Sequence, residues 1–556
     1  MKNTQPSFRK DIVTCRISGE EFFLSEEEMN FRSEFELPLP TLCPEERLRR
    51  RMQFRNFNNL YHRNCDLTGS KILSMYDLKS KFPVYSHQAW WSDAWDAKTY
   101  ARQFDPNQSF FDQYHKLSDD VPRAAVVNTN CENCEYSNFA FHSKDCYLIF
   151  GCVSDQNCLY GHIVWECENC VDTLYAYQCQ WCSNSLDIVG CYDLHFSSEC
   201  INCQESYFLH DCRNCQNCYG CVGLRNKKYY WNNLPLTKSE YLARISHLRP
   251  LSTETIGESK RKLAELKASF PSPALFGSQN ETVSGNHLYF CKDAEHCFDI
   301  KRSESVRYCF TIFGAEHSQD LSFGSGRFSY EGVAVLNSSE AISCHTVSDC
   351  HAIAYSEFCY NSRDLFGCIG LRNSQYCIFN QQYSKEDYSE LRGRIVAHMR
   401  RTSEWGEFFP TSLSPFAYNE SVAQQYLPLD RTTCLQRGLG WKEELETKTN
   451  APIEKLSPPP ITEASDEILK QTFCCANSGK AYRVIKPELE FYRRVGIALP
   501  QICPQERLKQ MMNLRAERKL WNRHCNRCET AIQSAEPANS PKEVLCEPCY
   551  LECVQG

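Results

Sequence analysis

Four cysteines near the carboxyl end, Cys525, Cys528, Cys546 and Cys549, form two C-x2-C knuckles, CNRC and CEPC, separated by seventeen residues. Such a pair lets four thiolates converge on one tetrahedral ion at metal–sulfur distances of about 2.3 Å, the geometry of a closed structural zinc site. Zinc is the expected cofactor. Cys15, Cys43, Cys475 and Cys503 each look like the first cysteine of a further knuckle whose partners have become Ser18, Glu46, Ser478 and Glu506. They are candidate second metal sites of two thiolates and a carboxylate, or else relics packed by aromatic residues.

Beside the knuckles lie two basic runs, residues 45–63 and 505–523, each with six basic and two acidic residues. The whole chain carries 61 basic and 69 acidic residues, a net charge of -8, so positive charge is segregated into these two segments. Apolar residues at near-helical spacing leave Arg47, Arg49, Arg50, Arg51 and Arg55 for a mostly opposite face, and the second run supplies Arg507, Lys509, Arg515, Arg518 and Lys519. Guanidinium forks on a helix beside a zinc ribbon suit phosphate contacts. A solvated face pairing with the acidic body is the plain alternative.

The segments that position these groups are copies of each other. Shifting the C-terminal segment by 460 positions aligns Cys15 with Cys475, Cys43 with Cys503 and Cys65 with Cys525, with 17 identities across residues 15–65. The first copy has Thr68, Ser86 and Ala89 where the other three knuckle cysteines would stand, so it is expected to have lost that ion and to build its core on Trp90, Trp91 and Trp95.

Between the copies the chain holds 16 cysteines in residues 131–221, and two series, Cys134 to Cys182 and Cys167 to Cys215, step by twelve. A fixed short period of small residues means stacked coils with an internal ladder, and the intervening runs, such as YLIF and HIVW, read as very short strands. The expected fold is mainly β: a duplicated parallel β-helix, or solenoid, with helical arms, flanked by zinc-ribbon-like domains at both ends. The period leaves the number of residues per coil open. The duplication shows in residues 220–241 and 367–388, both of the form GC-x-GLRN, with ten identities in 22, each followed by a helix-like segment. The evenly spread thiols are expected to be buried and free, since a metal cluster would concentrate ligands at one point. Domain boundaries fall at 1–100 (degenerate ribbon), 125–233 (first solenoid half), 234–283 (helical insert), 284–380 (second half), 381–445 (arm and cover segment), 446–470 (linker) and 471–556 (zinc ribbon).

CPQERL with WNRHCNRC and VLCEPCY, the stretch GCIGLRNSQYCIFNQQYSKEDY, and EWGEFFPTSLSPFAYNESVAQQYLPL at 404–429 together resemble a family of uncharacterised proteins of candidate-phyla bacteria. The resemblance implies zinc-ribbon ends around a cysteine-rich β-helical middle, and implies no activity. Glu46 and Glu506 stand where such relatives carry a knuckle cysteine.

The chain has 556 residues and 36 cysteines, with 42% hydrophobic residues, which excludes a mini-protein and a disordered chain. The first residues lack the apolar core of a secretory signal, and no run of eighteen apolar residues occurs, so a soluble, cytoplasmic protein with reduced thiols is expected. Asp293, Glu295, His296, Asp299, His317 and Asp320 could serve as acids and bases, although solvated turn residues at coil corners are the favoured explanation of them. No phosphate-cradling glycine loop or nucleophile elbow is present. The leading expectation is a non-enzymatic zinc-binding scaffold docking on RNA, DNA or a ribonucleoprotein through the basic helices. A protein-binding assembly solenoid and a polysaccharide-active β-helix enzyme are the alternatives, and no membrane is involved.

Overall fold

The computed structural model describes residues 11–443 and 456–555. The first ten residues of the degenerate ribbon, and residues 446–455 of the expected linker, lie outside the described residues. No helix among the described residues is long and apolar enough to cross a membrane.

The chain divides into two compact units, Met1–Ala125 with Leu275–Leu445, and Val126–Ala274 with Glu446–Gly556. Each unit joins one terminal copy to one half of the central body, so the compact units are not consecutive in the sequence. Each is built on a parallel ladder of short strands, taken largely in chain order. One ladder runs from Asn128–Thr129 to Lys228–Trp231 and the other from Gly277–Ser278 to Gln375–Ile378. The register advances twelve residues per step throughout the first ladder and most of the second: Val171 pairs with Ser183, Leu174 with Leu186, Tyr192 with Gln204, and His351 with Arg363, which pairs in turn with Gln375; steps of eleven occur at Gly277 with Leu288, Glu281 with Lys292 and Gln319 with Tyr330. In the second ladder Lys292–Lys301 pairs with both Glu304–Arg307 and Phe310–Phe313, and both of these pair with Glu316–Gly324, closing a four-strand parallel circuit. A final antiparallel pairing ends each ladder, with Leu234–Pro235 and with Gln381–Gln382.

A period of three lies inside the period of twelve. From Asn130 to Asn232 every third residue has a left-handed backbone, and the pattern recurs from His287 to Phe323 and, after one step of five, from Phe328 to Phe379. For most residues this conformation is unfavourable by about 1–2 kcal/mol. Along the coils these N–H groups are generally tied to the carbonyl thirteen residues earlier, as in Asp145 to Glu132 (2.9 Å) and Asn157 to Lys144 (3.0 Å). The residue after each left-handed position points inward, and all sixteen cysteines from Cys131 to Cys221 occupy that one phase.

The inward positions explain the cysteine content. Their backbone N–H groups and nearby carbonyls face the core rather than a neighbouring strand, and a buried polar group without a partner is destabilising. The side chain one step earlier supplies the acceptor: the Cys158 N–H meets the Cys146 sulfur at 3.4 Å and the Cys179 N–H meets that of Cys167 at 3.3 Å. The thiol then donates to the carbonyls two residues back and nine ahead, as Cys170 does to Glu168 and Cys179, both at 3.5 Å. Serine fills the same position with the same bonds: Ser185 accepts from Ser197 N–H at 3.1 Å, and Ser356 from Cys368 N–H at 3.1 Å. Asp155 also occupies it, accepting from Cys167 N–H at 2.9 Å, and burial pushes its carboxyl well above the ordinary range. The core thus needs a side chain that is small, buries readily and both donates and accepts, a description cysteine meets. All 36 cysteines are free, and the interior thiols do not gather into metal-binding clusters among the described residues.

The terminal copies form hairpins and helices around these ladders. The basic runs are helical only over Pro44–Met52 and Pro504–Asn513, each opened by proline in its first turn. The expected continuation to residues 63 and 523 does not form. In the first copy the Asn56 side chain takes the Asn59 N–H at 3.0 Å, a local bond that competes with the helix. Tyr61–Asn64 and Trp521–His524 instead become strands, paired antiparallel with Lys71–Ser74 and Ala531–Ser534. The helix-like segments after each half fall within Thr253–Ser269 and Lys385–Arg401, capped by Ser252 and Ser384.

Candidate metal centre and the arginine helices

The Trp521–Ser534 hairpin and the start of the helix Glu547–Gln555 bring the two knuckles together. One ligand atom from each of Cys525, Cys528, Cys546 and Cys549 lies within 4.8 Å of all the others, and the Cys528 and Cys546 sulfurs are 3.6 Å apart. Four sulfurs at about 2.3 Å from a central ion stand roughly 3.8 Å from one another, so the cluster fits a tetrahedral ion. Cys525 is fully buried and Cys528 is exposed. Burial raises the Cys525 pKa, but backbone N–H groups of Cys528, Cys546 and Arg527 outweigh it and draw the thiol down to about 6, favouring the thiolate a cation requires. The cluster can hold a metal ion and is compatible with zinc.

The corresponding positions of the first copy keep the scaffold without the ligands. Ser86 N–H donates to the Cys65 sulfur at 3.2 Å, as Cys546 N–H does to Cys525 at 3.3 Å. Trp90 is fully buried, donating to the Pro122 carbonyl at 3.1 Å, and Trp95 donates to the Trp90 carbonyl, while Trp91 is exposed. At the second candidate sites Cys15 and Cys43, and Cys475 and Cys503, are neighbours with Ser18 and Ser478 hydroxyls 3.9 Å from Cys43 and Cys503. Neither set forms a metal-binding group of three among the described residues. Glu46 is engaged instead by Arg437 at 2.9 Å and Arg49 at 3.3 Å.

The basic helices face inward. Arg47, 1% exposed, meets Asp320 at 2.9 Å and Glu28 at 3.6 Å. Arg51, fully buried, meets Asp320 at 2.8 Å, and Arg50 meets Glu331 at 2.8 Å. Arg49 binds the Tyr418 hydroxyl at 2.7 Å, and Arg55 lies over the rings of Phe57 and Phe323. In the other copy Arg507, 4% exposed, meets Asp172 and Glu488 at 2.9 Å each, Arg515 meets Asp187 at 2.8 Å, and Arg518 reaches the Tyr175 hydroxyl. Only Lys509 and Lys519 of the expected phosphate-binding set are exposed. Arg47, Arg50, Arg51 and Arg507 are thus buried against internal carboxylates, while Arg515 and Arg518 are half-buried.

The two units repeat one constellation. In the first, Tyr308 donates to Glu28 (3.1 Å), Arg47 pairs with Glu28 and Asp320, and its guanidinium lies 5.0 Å from the Tyr308 ring. In the second, Tyr160 donates to Glu488 (2.7 Å), Arg507 pairs with Glu488 and Asp172, and its guanidinium lies 4.5 Å from the Tyr160 ring. Glu28 and Arg47 align with Glu488 and Arg507 at the 460-residue offset, whereas Tyr160 and Asp172 precede Tyr308 and Asp320 by 148 residues. One difference is chemical: Arg51, the second cation on Asp320, is Met511 in the other copy. Burial raises both carboxyls, but Arg47 and Arg51 hold Asp320 below its ordinary range, whereas Arg507 leaves Asp172 pushed up to about 6. Sequence reasoning missed the glutamates and tyrosines of these quartets, although Glu28 and Glu488 were among the identities of the aligned copies.

The acid–base candidates are also occupied. Asp320 is fully buried, Glu295 binds Arg307 at 3.2 Å, His317 binds Glu34 at 2.7 Å, His296 stacks on Tyr308, and Asp299 lies 3.9 Å from His287. The GLRN motifs lie at the ladder ends. Arg225 pairs with Asp211 at 2.9 Å, Arg372 lies over the rings of Trp90 and Trp95, and a side chain at Gly223 would come within 2.4 Å of the Phe270 ring.

No protein-family model and no curated protein matches the chain. Among solved structures, the crystal structure of a "putative acetyltransferase" from Desulfovibrio desulfuricans G20 aligns over 47% of this chain and 72% of its own, at 10% identity and a TM-score of 0.10. A likeness of that size carries no argument about fold or activity.

Proposed function

We propose that this protein is a non-enzymatic, zinc-holding scaffold. Its two ladders are read as parallel β-helical columns of twelve residues per coil, four triplets to the turn, each clamped by one terminal copy and presenting its outer faces to protein partners. The observation that carries this reading is the duplicated Tyr–Glu–Arg–Asp quartet, in which charged groups suited to acid–base or phosphate work are turned inward in both units. Zinc at Cys525, Cys528, Cys546 and Cys549 would be structural, because all four tetrahedral positions are protein thiolates. A reducing, cytoplasmic setting fits interior thiols that hydrogen-bond to backbone.

Nucleic-acid docking is the second reading. It is favoured by the exposed Lys509 and Lys519 and by Arg527, half exposed at the knuckle tip and paired with Glu552 at 3.0 Å. Affinity capture from the native host, with and without nuclease, separates the two. The scaffold reading expects protein partners that survive nuclease and rebind the purified chain. Capture of nucleic acid alone, released by Lys509→Gln with Lys519→Gln and Arg527→Gln at low salt, would replace it by the second reading.

A further inference from the structure

The second unit contains a cleft of about 550 Å³ that the scaffold reading does not use. Its walls come from three elements: the ladder gives Leu186 and Phe196, the helix Thr253–Ser269 gives Ile256 and Leu263, and the terminal copy gives Leu499 and Met511. The volume lies within the roughly 300–1,000 Å³ of small-molecule sites, and a mostly apolar lining with few polar groups is their usual character.

The charged residues lining this cleft, Lys260, Lys267 and Arg507, are all cationic. Lys260 and Lys267 lie two turns apart on the helix face that lines it. Neither makes an ion pair among the described residues; the Lys260 amine lies 5.1 Å from the centre of the Phe196 ring. The neighbouring carboxylates are committed elsewhere. Asp172 is held by Arg507 at 2.9 Å, Asp187 by Arg515 at 2.8 Å and Glu536 by Lys542 at 2.5 Å, while burial pushes the Glu199 carboxyl well above its ordinary range. Loss of water, with Lys542 nearby, holds the Lys267 amine below its ordinary value, a condition that an entering anion would relieve. Among the other polar groups, the His210 ring nitrogen is hydrogen-bonded to Ser198 at 2.7 Å and burial keeps the ring neutral.

We infer that this cleft binds an amphipathic monoanion, an alkyl or aryl body seated on the apolar walls with a carboxylate between Lys260 and Lys267. The inference is independent of the partner assigned above. It is tested on the full-length, zinc-loaded chain by calorimetric titration with dodecanoate and, separately, with dodecanol. Dodecanoate is expected to bind at least tenfold more tightly than dodecanol. Lys260→Gln with Lys267→Gln should remove that preference while leaving dodecanol binding and the melting temperature unchanged. Leu263→Trp, which fills the cleft, should abolish both. Failure of the wild type to bind dodecanoate, equal wild-type affinity for acid and alcohol, a preference for the acid that survives the lysine double variant, or binding of either ligand that survives Leu263→Trp would overturn the inference.

Discussion

Replacing Cys167 by serine or by alanine separates two accounts of the interior thiols. If they only fill space, alanine should be the milder change, because serine buries a hydroxyl. The structure predicts the reverse. The Cys167 sulfur accepts the Cys179 N–H at 3.3 Å and donates to the Trp165 carbonyl at 3.4 Å. Alanine leaves that buried N–H without its acceptor, a penalty of about 1–3 kcal/mol. It also removes a sulfur's worth of packing, about 1 kcal/mol on the scale of a buried methylene. The expected loss is therefore about 2–4 kcal/mol. Serine retains both bonds, as Ser185 does natively in accepting the Ser197 N–H at 3.1 Å and donating to the Ser183 carbonyl at 2.9 Å. It should cost about 1 kcal/mol, the shorter side chain leaving a small gap. Urea unfolding of both variants, followed by circular dichroism in reducing buffer, measures the order. An alanine variant as stable as the serine variant, or more so, would refute the hydrogen-bonding account.

Cys525→Ser should abolish stoichiometric zinc binding and unfold the C-terminal ribbon while the ladders retain their circular dichroism; zinc content and limited proteolysis check this. Arg507→Met removes the arginine that Asp172 and Glu488 share and should destabilise the second unit by about 3–5 kcal/mol, read from its unfolding midpoint. For Asp172, a folded pKa of about 6 above an unfolded value of about 3.9 means that the folded state binds the extra proton between these pH values. Its favourable contribution is complete below about pH 4 and is lost as the pH rises through 6, a change of about 2–3 kcal/mol that Asp172→Asn should flatten in a stability-versus-pH series. Asp320 has the opposite sign: its stabilisation, present at neutral pH, should be lost on acidification below about pH 4, and Asp320→Asn should remove that acid limb.

The twelve-residue step was legible because the Cys134 and Cys167 series recur at it, and the tetrathiolate cluster because each knuckle has fixed internal spacing. The finer period of three was equally present, since every cysteine from Cys131 to Cys221 falls in one phase, but asparagine, tyrosine and phenylalanine at the left-handed positions do not signal that conformation. The burial of the basic helices was not legible for a physical reason. Arg47 and Arg507 look like solvated cations in one dimension, and their carboxylates, Asp320 and Asp172, are distant in sequence and arrive only through folding. Conversely, of the acidic residues that resembled acids and bases in the second ladder, Asp320 is the counterion of Arg47 and Arg51, and Glu295 that of Arg307. Pairing of each terminal copy with a ladder half depends on contacts between distant segments, which no local pattern in the sequence encodes.

The division of labour among the cysteines is tested most directly by counting metal and thiols on one reduced sample of the purified chain. With 36 cysteines and four of them metal ligands, the account predicts one zinc per chain, 32 titratable thiols in denaturant while the ion is retained, and 36 after chelation. Several zinc ions per chain with correspondingly fewer reactive thiols, or no zinc at all, would contradict it.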